Sequence, residues 1–338
     1  MTVRVGINGF GRIGRNFLRA IVATGADIEV VGVNDLTSAG TLAHLLRYDS
    51  TQGRMSVPVD VEGSDLLVGD QRIRVLAERE PEQLPWGALG ADLVIESTGR
   101  FTSRADAAGH LHGSVKRVII SAPSGDADAT FVIGVNDGDF NPAQHVVVSN
   151  ASCTTNCFVP MVKVVDEAFQ IVSGLMTTVH AYTNDQNLLD LTHTDLRRAR
   201  AGAVNIVPSS TGAARATSLV LSAMKGRLDG MSLRVPLPAG SITDFTAVVR
   251  GNPSVAEVNA AFAEAAAKPP LDRVLEYTED PLVSSDIVGT AASCTFDAGL
   301  TMVQNINDEL SLVKVEGWYD NEWGYSNRLV DLTLLVGG

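Results

Sequence analysis

Cysteine is scarce in this chain: its 338 residues contain three, Cys153, Cys157 and Cys294. An odd, sparse set does not make a disulfide framework and fits a reducing compartment, so a cytoplasmic location is expected. No Cys-x-x-Cys pair or histidine cluster has zinc-ligand spacing, so no metal is expected. No apolar run approaches the roughly 18 residues that a membrane-spanning helix needs. The opening MTVRVGINGF lacks a charged leader with a long apolar stretch and a small-residue cleavage site, so no signal peptide is expected. Positive charge is also short: 26 Lys and Arg against 39 Asp and Glu give a net charge of −13. That balance argues against nucleic acid or an anionic membrane as the main partner, although a local basic pocket remains compatible with it. Repeats, low-complexity tracts and charge runs are missing too.

What remains is a chain of ordinary globular composition, long enough for two domains. The first half alternates strands and helices. Val3 to Asn8 reads as a short strand, Arg12 to Ala23 as a helix, and Ile28 to Asn34 as a second buried strand. Asp92 to Ser97, Val115 to Ser121 and His145 to Ser149 continue the series. Continuous apolar strands separated by helical stretches predict a parallel sheet covered on both faces. The second half has longer strands, Gly174 to Tyr182, Asp229 to Pro236, Thr243 to Arg250 and Leu310 to Tyr319. A helix from Ser254 to Lys268 interrupts them. This texture predicts an antiparallel sheet with helices on one side. The boundary falls near Asn150, and Tyr325 to Val336 reads as a closing helix.

GFGRIG, Gly9 to Gly14, matches G-x-G-x-x-G and sits between a predicted strand and a predicted helix. Gly9 permits the tight turn, Gly11 lets backbone approach a pyrophosphate, and Gly14 allows close helix packing. The helix N-terminus offers amides and a positive dipole end to phosphates. Asp35 lies 21 residues after Gly14, at the end of the second strand, where a ribose-binding acid belongs. Its charge would repel a 2′-phosphate, so NAD is expected over NADP. The alternative is a plain glycine turn beside an exposed loop aspartate.

SNASCTTNC, Ser149 to Cys157, places Cys153 in the first turn of a helix that runs to Phe169, with Pro160 a kink or early adjustment. Amides at a helix N-terminus favour a thiolate and so a better nucleophile. A free cysteine is more often a small buried hydrophobe. Cys157 and Cys294 are read that way. A cysteine nucleophile needs a base, and six histidines are available. His180 ends the strand LMTTVH and is the best placed, although spacing alone leaves a structural role open.

INGFGRIGRN, NDL, SNASCTTNC, TTVHAYTNDQ, DLRRARA, PSSTGAAR, LRVP and WYDNEWGYS follow one another in this order. The series resembles the phosphorylating glyceraldehyde-3-phosphate dehydrogenases, from Val3 to the C-terminus. The resemblance implies an α/β chain. Residues 1–150 would form a Rossmann-type NAD-binding domain, onto which a C-terminal helix within 320–338 packs back. Residues 151–319 would form an α+β catalytic domain with a mostly antiparallel sheet. It implies Cys153 as nucleophile and His180 as base, acting through a thiohemiacetal and a thioacyl-enzyme that inorganic phosphate cleaves. Ser152, Thr154, Thr211 and Gly212 match positions for the attacking phosphate. Thr183, Arg198 and Arg234 match positions around the substrate phosphate, with Arg234 shared; guanidinium forks suit phosphate oxygens. Without the resemblance, Ser210 to Gly212 would be a turn or helix cap and Arg234 a surface charge. Arg12 and Ile13 match the pyrophosphate loop with Gly9, Gly11 and Gly14. Arg79 and Ser121 match the adenine and nicotinamide sides, and Asn321 matches the residue that fixes the nicotinamide. The segment from Ala181 to about Ala203 matches a loop that reaches a neighbouring subunit, so the resemblance implies a homotetramer.

Two positions depart from the family pattern. Thr192 stands where many NAD-specific members have proline, which weakens the steric case against NADP while Asp35 keeps the electrostatic one. Trp323 stands where threonine is frequent, with no chemical consequence expected. Two alternatives stay open: an erythrose-4-phosphate dehydrogenase, which releases a free acid, and a non-catalytic NAD-binding module.

Overall fold

The computed structural model describes residues 2–338. It divides into two compact units. One comprises the chain up to Phe131, Asn136–Ala151 and Ser326–Gly338; the other comprises Val132–Val135 and Ser152–Tyr325.

The first unit is built on a nine-stranded sheet. Its parallel part runs, in spatial order, Ala129–Thr130, Val147–Ser149, Arg117–Ile120, Leu93–Glu96, Val3–Asn8, Ile28–Asn34 and Gln71–Leu76. Val5, Ile7, Val33, Val94, Ile95, Val118 and Ile119 are buried, as strands covered on both faces require. The chain order reverses between Val3–Asn8 and Leu93–Glu96. A crevice therefore opens beyond the carboxyl ends of these two strands, the usual ligand position in such sheets. The first crossover helix, Arg12–Thr24, buries Phe17, Leu18 and Ile21. Two further strands, Asp65–Val68 and Val59–Glu62, extend the far edge in antiparallel sense. The sequence reading did not anticipate them. Both are short, and the buried Asp65 that opens the first pairs with Arg72 and Arg74.

The second unit holds an eight-stranded sheet. Ile171–Ala181 lies at its centre, parallel to Leu228–Val235 and antiparallel to Ser241–Arg250. Leu310–Tyr319 pairs antiparallel with Ser241–Arg250 along its whole length. Two pairings are parallel and the others antiparallel, so the sheet is mixed with an antiparallel majority. The helix Cys153–Phe169 packs on this sheet, its Phe158 ring meeting Phe245 edge-on at 4.9 Å between centroids. Pro160 lies inside this helix, which continues through it. A buried, tightly packed setting outweighs the one backbone bond that proline removes. The helix Val255–Ala266 starts from a Ser254–Glu257 capping box, and its Phe262 stacks on Phe296 at 3.8 Å. The last helix spans Trp323–Gly337, two residues earlier than the pattern suggested.

Candidate active site

The crevice of the first unit has a volume of about 600 Å³ and is lined by Asn8, Gly9, Gly11, Asn34, Asp35, Arg79, Ser97 and Thr98, among others. Its glycines fit a dinucleotide. Gly9 sits at φ 91°, and a Cβ there would lie 2.6 Å from the Thr98 amide nitrogen. A Cβ on Gly14 would lie 2.3 Å from the Gly9 carbonyl oxygen, so the helix can approach the turn only through glycine. A Cβ on Gly11 would meet no atom within 4 Å, leaving open space where a phosphate could approach backbone. The helix that Gly11 precedes carries no side-chain cap, and Gly11 itself lines the crevice. Asp35 accepts a hydrogen bond from the Phe10 amide at 3.1 Å and lines the same space.

The other cofactor residues are placed differently. Gly14 supports the turn from behind. Arg12 turns its guanidinium onto Asp49, whose side chain is buried. Burial works to raise the Asp49 carboxyl, but Arg12 and the amides of Gln52 and Thr51 hold it below its usual range. Ile13 and Ser121 are not on the crevice wall; the Ser121 amide donates to the Glu96 carbonyl. Neither the Arg12 nor the Ile13 side chain lines the crevice.

In the second unit, Cys153 is the first residue of its helix and Ser152 is the cap, accepting from the Thr155 amide at 3.0 Å. Ala151, just before it, holds a left-handed φ of 56°. A side chain in that region is a local strain of about 1 kcal/mol. The Cys153 Sγ lies 3.4 Å from Nε2 of His180. His180 is 3% exposed. Its Nδ1 donates to the Ala181 carbonyl at 2.6 Å, which leaves Nε2 with the lone pair that faces the thiol. Arg234 stands 3.0 Å from Nδ1 and shares the Ala181 carbonyl at 3.3 Å. In that tautomer the Arg234–Nδ1 approach sets two proton-bearing nitrogens side by side, and the short carbonyl bond decides the assignment.

Burial pushes the Cys153 thiol up; Arg234, the Thr154 hydroxyl and amide, and the residue's own amide pull it back. Burial, and then the Arg234 charge, bring the His180 imidazole down to about 3. At rest both groups are therefore neutral, with a proton held on sulfur and an acceptor 3.4 Å away.

The expected anion-binding residues fall into several placements. Arg234 is part of the thiol–imidazole cluster, and burial lowers its own pKa. Arg198 bonds Asp185 and the Ser210 carbonyl, which ties it to the turn carrying Thr211 and Gly212. The Thr211 hydroxyl accepts from the Ala213 amide at 3.2 Å, just ahead of the helix Ala213–Val220. Gly212 is exposed, and the Thr183 amide donates to Gln186. Thr154 points inward, its hydroxyl 2.9 Å from the Tyr319 hydroxyl. Asn321 is buried and accepts from the Ser241 hydroxyl at 3.2 Å, while Ser241 accepts from the Ala181 amide.

Tyr319 and Ser241 were not singled out in the sequence. The Tyr319 hydroxyl also meets Thr178 at 2.7 Å, and its ring meets His180 edge-on at 5.9 Å. Its own ionisation is pushed far up by burial. Nothing local marks it, because its partners come from a distant helix and a distant strand.

A dinucleotide crevice in one unit and a cysteine–histidine–arginine cluster in the other define a nicotinamide-dependent dehydrogenase that works through a thiol. Residues 3–104 match the NAD binding domain model of glyceraldehyde 3-phosphate dehydrogenase, and residues 152–321 match its C-terminal domain model. Glyceraldehyde-3-phosphate dehydrogenase of Streptomyces coelicolor is 59% identical over 337 residues, covering 100% of this chain and 99% of the relative. That of Mycobacterium tuberculosis is 58% identical over 343 residues, with the same coverage. The chain belongs to the glyceraldehyde-3-phosphate dehydrogenase family, and its cofactor is NAD.

Proposed function

We propose that this protein catalyses the NAD-dependent oxidative phosphorylation of D-glyceraldehyde 3-phosphate to 1,3-bisphosphoglycerate in glycolysis and gluconeogenesis. The observation that carries the reading is the Cys153 thiol 3.4 Å from a neutral His180 Nε2, with Arg234 beside both. The His180 nitrogen takes the thiol proton as sulfur attacks the aldehyde carbon, and a C–S bond forms. That proton moves to the former carbonyl oxygen, giving a thiohemiacetal. His180 then takes the hydroxyl proton as the carbon is oxidised, leaving a thioester on Cys153. Bound NAD supplies the hydride acceptor. Phosphate oxygen attacks the thioester carbonyl, the C–S bond breaks, and the thiolate leaves with its pair. A thioester retains oxidation energy that a free acid would have released, which is why sulfur is needed.

Arg234 serves both anions, Arg198 and Thr183 serve the substrate phosphate, and Ser152, Thr154, Thr211 and Gly212 serve the attacking one. An anion at Arg234 offsets the charge that depresses His180, so arrival of substrate strengthens the base. Arg198 is held by Asp185 until phosphate competes for it. Gly9, Gly11, Asp35 and Arg79 hold NAD, the amides of Arg12 and Ile13 contribute at the helix N-terminus, and Ser121 and Asn321 serve the nicotinamide side. Asp35 disfavours a 2′-phosphate, and Thr192 leaves that task to it. The protein works as a homotetramer in the cytoplasm. Sparse cysteine supports that compartment, and no helix among the described residues is long and apolar enough to cross a membrane.

The direct test is Cys153→Ser. It should fold and bind NAD as the parent does, with turnover reduced on the order of 10⁴-fold. Undiminished turnover in the variant would overturn the reading.

A further inference from the structure

Beneath the NAD crevice lies a buried carboxylate that the reaction does not use. Glu96 ends the central strand Leu93–Glu96 and is 2% exposed. Its Oε2 accepts from Asn8 Nδ2 at 2.6 Å and from His110 Nε2 at 3.0 Å. Its Oε1 accepts from the Thr98 amide at 2.8 Å and from the Thr98 hydroxyl. A buried carboxylate is tolerated when its oxygens are filled this completely.

The histidine is held in one form. Trp86 is fully buried, and its indole Nε1–H donates to His110 Nδ1 at 3.1 Å. An indole nitrogen can only donate, so Nδ1 must carry the lone pair and Nε2 the proton. That proton points at Glu96. The chain of bonds continues outward. Asn8 Oδ1 accepts from Asn34 Nδ2 at 2.7 Å, and Asn34 clasps the Glu78 backbone through both its amide groups at 2.8 Å. Asn8, Asn34, Glu78 and Thr98 all line the crevice, whereas Trp86, His110 and Glu96 do not. Asn8 and Thr98 are thus held from behind by Glu96, and Asn8 in turn holds Asn34.

We propose that Trp86, His110 and Glu96 are positioning residues for NAD, acting through Thr98, Asn8 and Asn34 without touching the cofactor. The proposal rests on the assignment of this crevice to NAD. A glutamine at position 96 must turn an NH₂ toward donors on one side, and it can no longer satisfy all four.

The test is titration of purified full-length protein with NAD, read by calorimetry, together with steady-state kinetics and thermal melting. Glu96→Gln should raise the Kd for NAD by about ten- to a hundredfold, the scale of one lost charge-assisted hydrogen bond. The defect should appear in the KM for NAD rather than in kcat. Trp86→Phe keeps an aromatic ring but drops the N–H, so it should raise the Kd several-fold with kcat at saturating NAD within about twofold. It decides the matter if Glu96→Gln does not fold. Folded variants that bind NAD as tightly as the parent, whatever their melting temperature, would overturn the proposal. A parent chain that binds no NAD would instead overturn the crevice assignment itself.

Discussion

A half-buried thiol and a buried imidazole 3.4 Å apart can exchange a proton without changing the net charge of their pocket. Burial of the imidazole leaves a signature in stability. His180 is held at about 3 in the folded chain, first by burial and then by Arg234, against 6.5 when free. Between these values the unfolded chain binds a proton that the folded one refuses, so stability rises with pH there. The contribution is at full strength above about pH 6.5 and is lost as pH falls toward 3. His180→Asn should flatten this acid limb in a series of melting curves, while lowering kcat by about 10²- to 10⁴-fold. An unchanged acid limb would contradict the buried neutral imidazole. At this scale Cys153 was legible because its helix start and its strand neighbour are written into one short stretch. Tyr319 was not: its hydroxyl meets Thr154, 165 residues away in the chain.

At the scale of elements, the turn between Val3–Asn8 and Arg12–Thr24 does the most with the fewest atoms. Two of its glycines are forced by close approach and one is left open to solvent space. Gly14→Ala places a carbon 2.3 Å from the Gly9 carbonyl oxygen, so helix and strand must separate. The variant should lose about 1–3 kcal/mol in urea unfolding and at least about tenfold in NAD affinity. Gly11→Ala has room and should retain its stability while binding NAD more weakly. Equal stability of Gly14→Ala and the parent would contradict the packing argument. The motif was readable because turn, strand and helix follow one another directly. The antiparallel strands Val59–Glu62 and Asp65–Val68 were not readable, because each is only four residues long and the buried Asp65 is matched by Arg72 and Arg74, which lie further along the chain. Ser152 was expected for its phosphate chemistry, and its helix-capping bond became visible only with coordinates.

For the whole molecule, a change in strand texture near Asn150 leads to an expectation of two domains, and the sheets differ in that sense: mostly parallel in one unit, mostly antiparallel in the other. Composition said nothing of assembly. The loop after His180 carries large apolar side chains in the open, with Leu188 80% and Leu196 82% exposed and Val204 and Ile206 nearby in sequence. Such exposure is costly in an isolated chain and supports the proposed homotetramer. Light scattering should find a mass of four chains, and Leu188→Asp with Leu196→Asp should shift it to smaller species. A parent protein that runs as a single chain would contradict the assembly.

The most direct test of the account is the rate of NADH formation from D-glyceraldehyde 3-phosphate and NAD, with and without inorganic phosphate. The thioester on Cys153 needs phosphate to leave, so sustained turnover should require it, with no more than about one NADH per active site formed in its absence. Equal sustained turnover in both conditions would mean that water releases the acyl group, and would contradict the phosphorolytic mechanism.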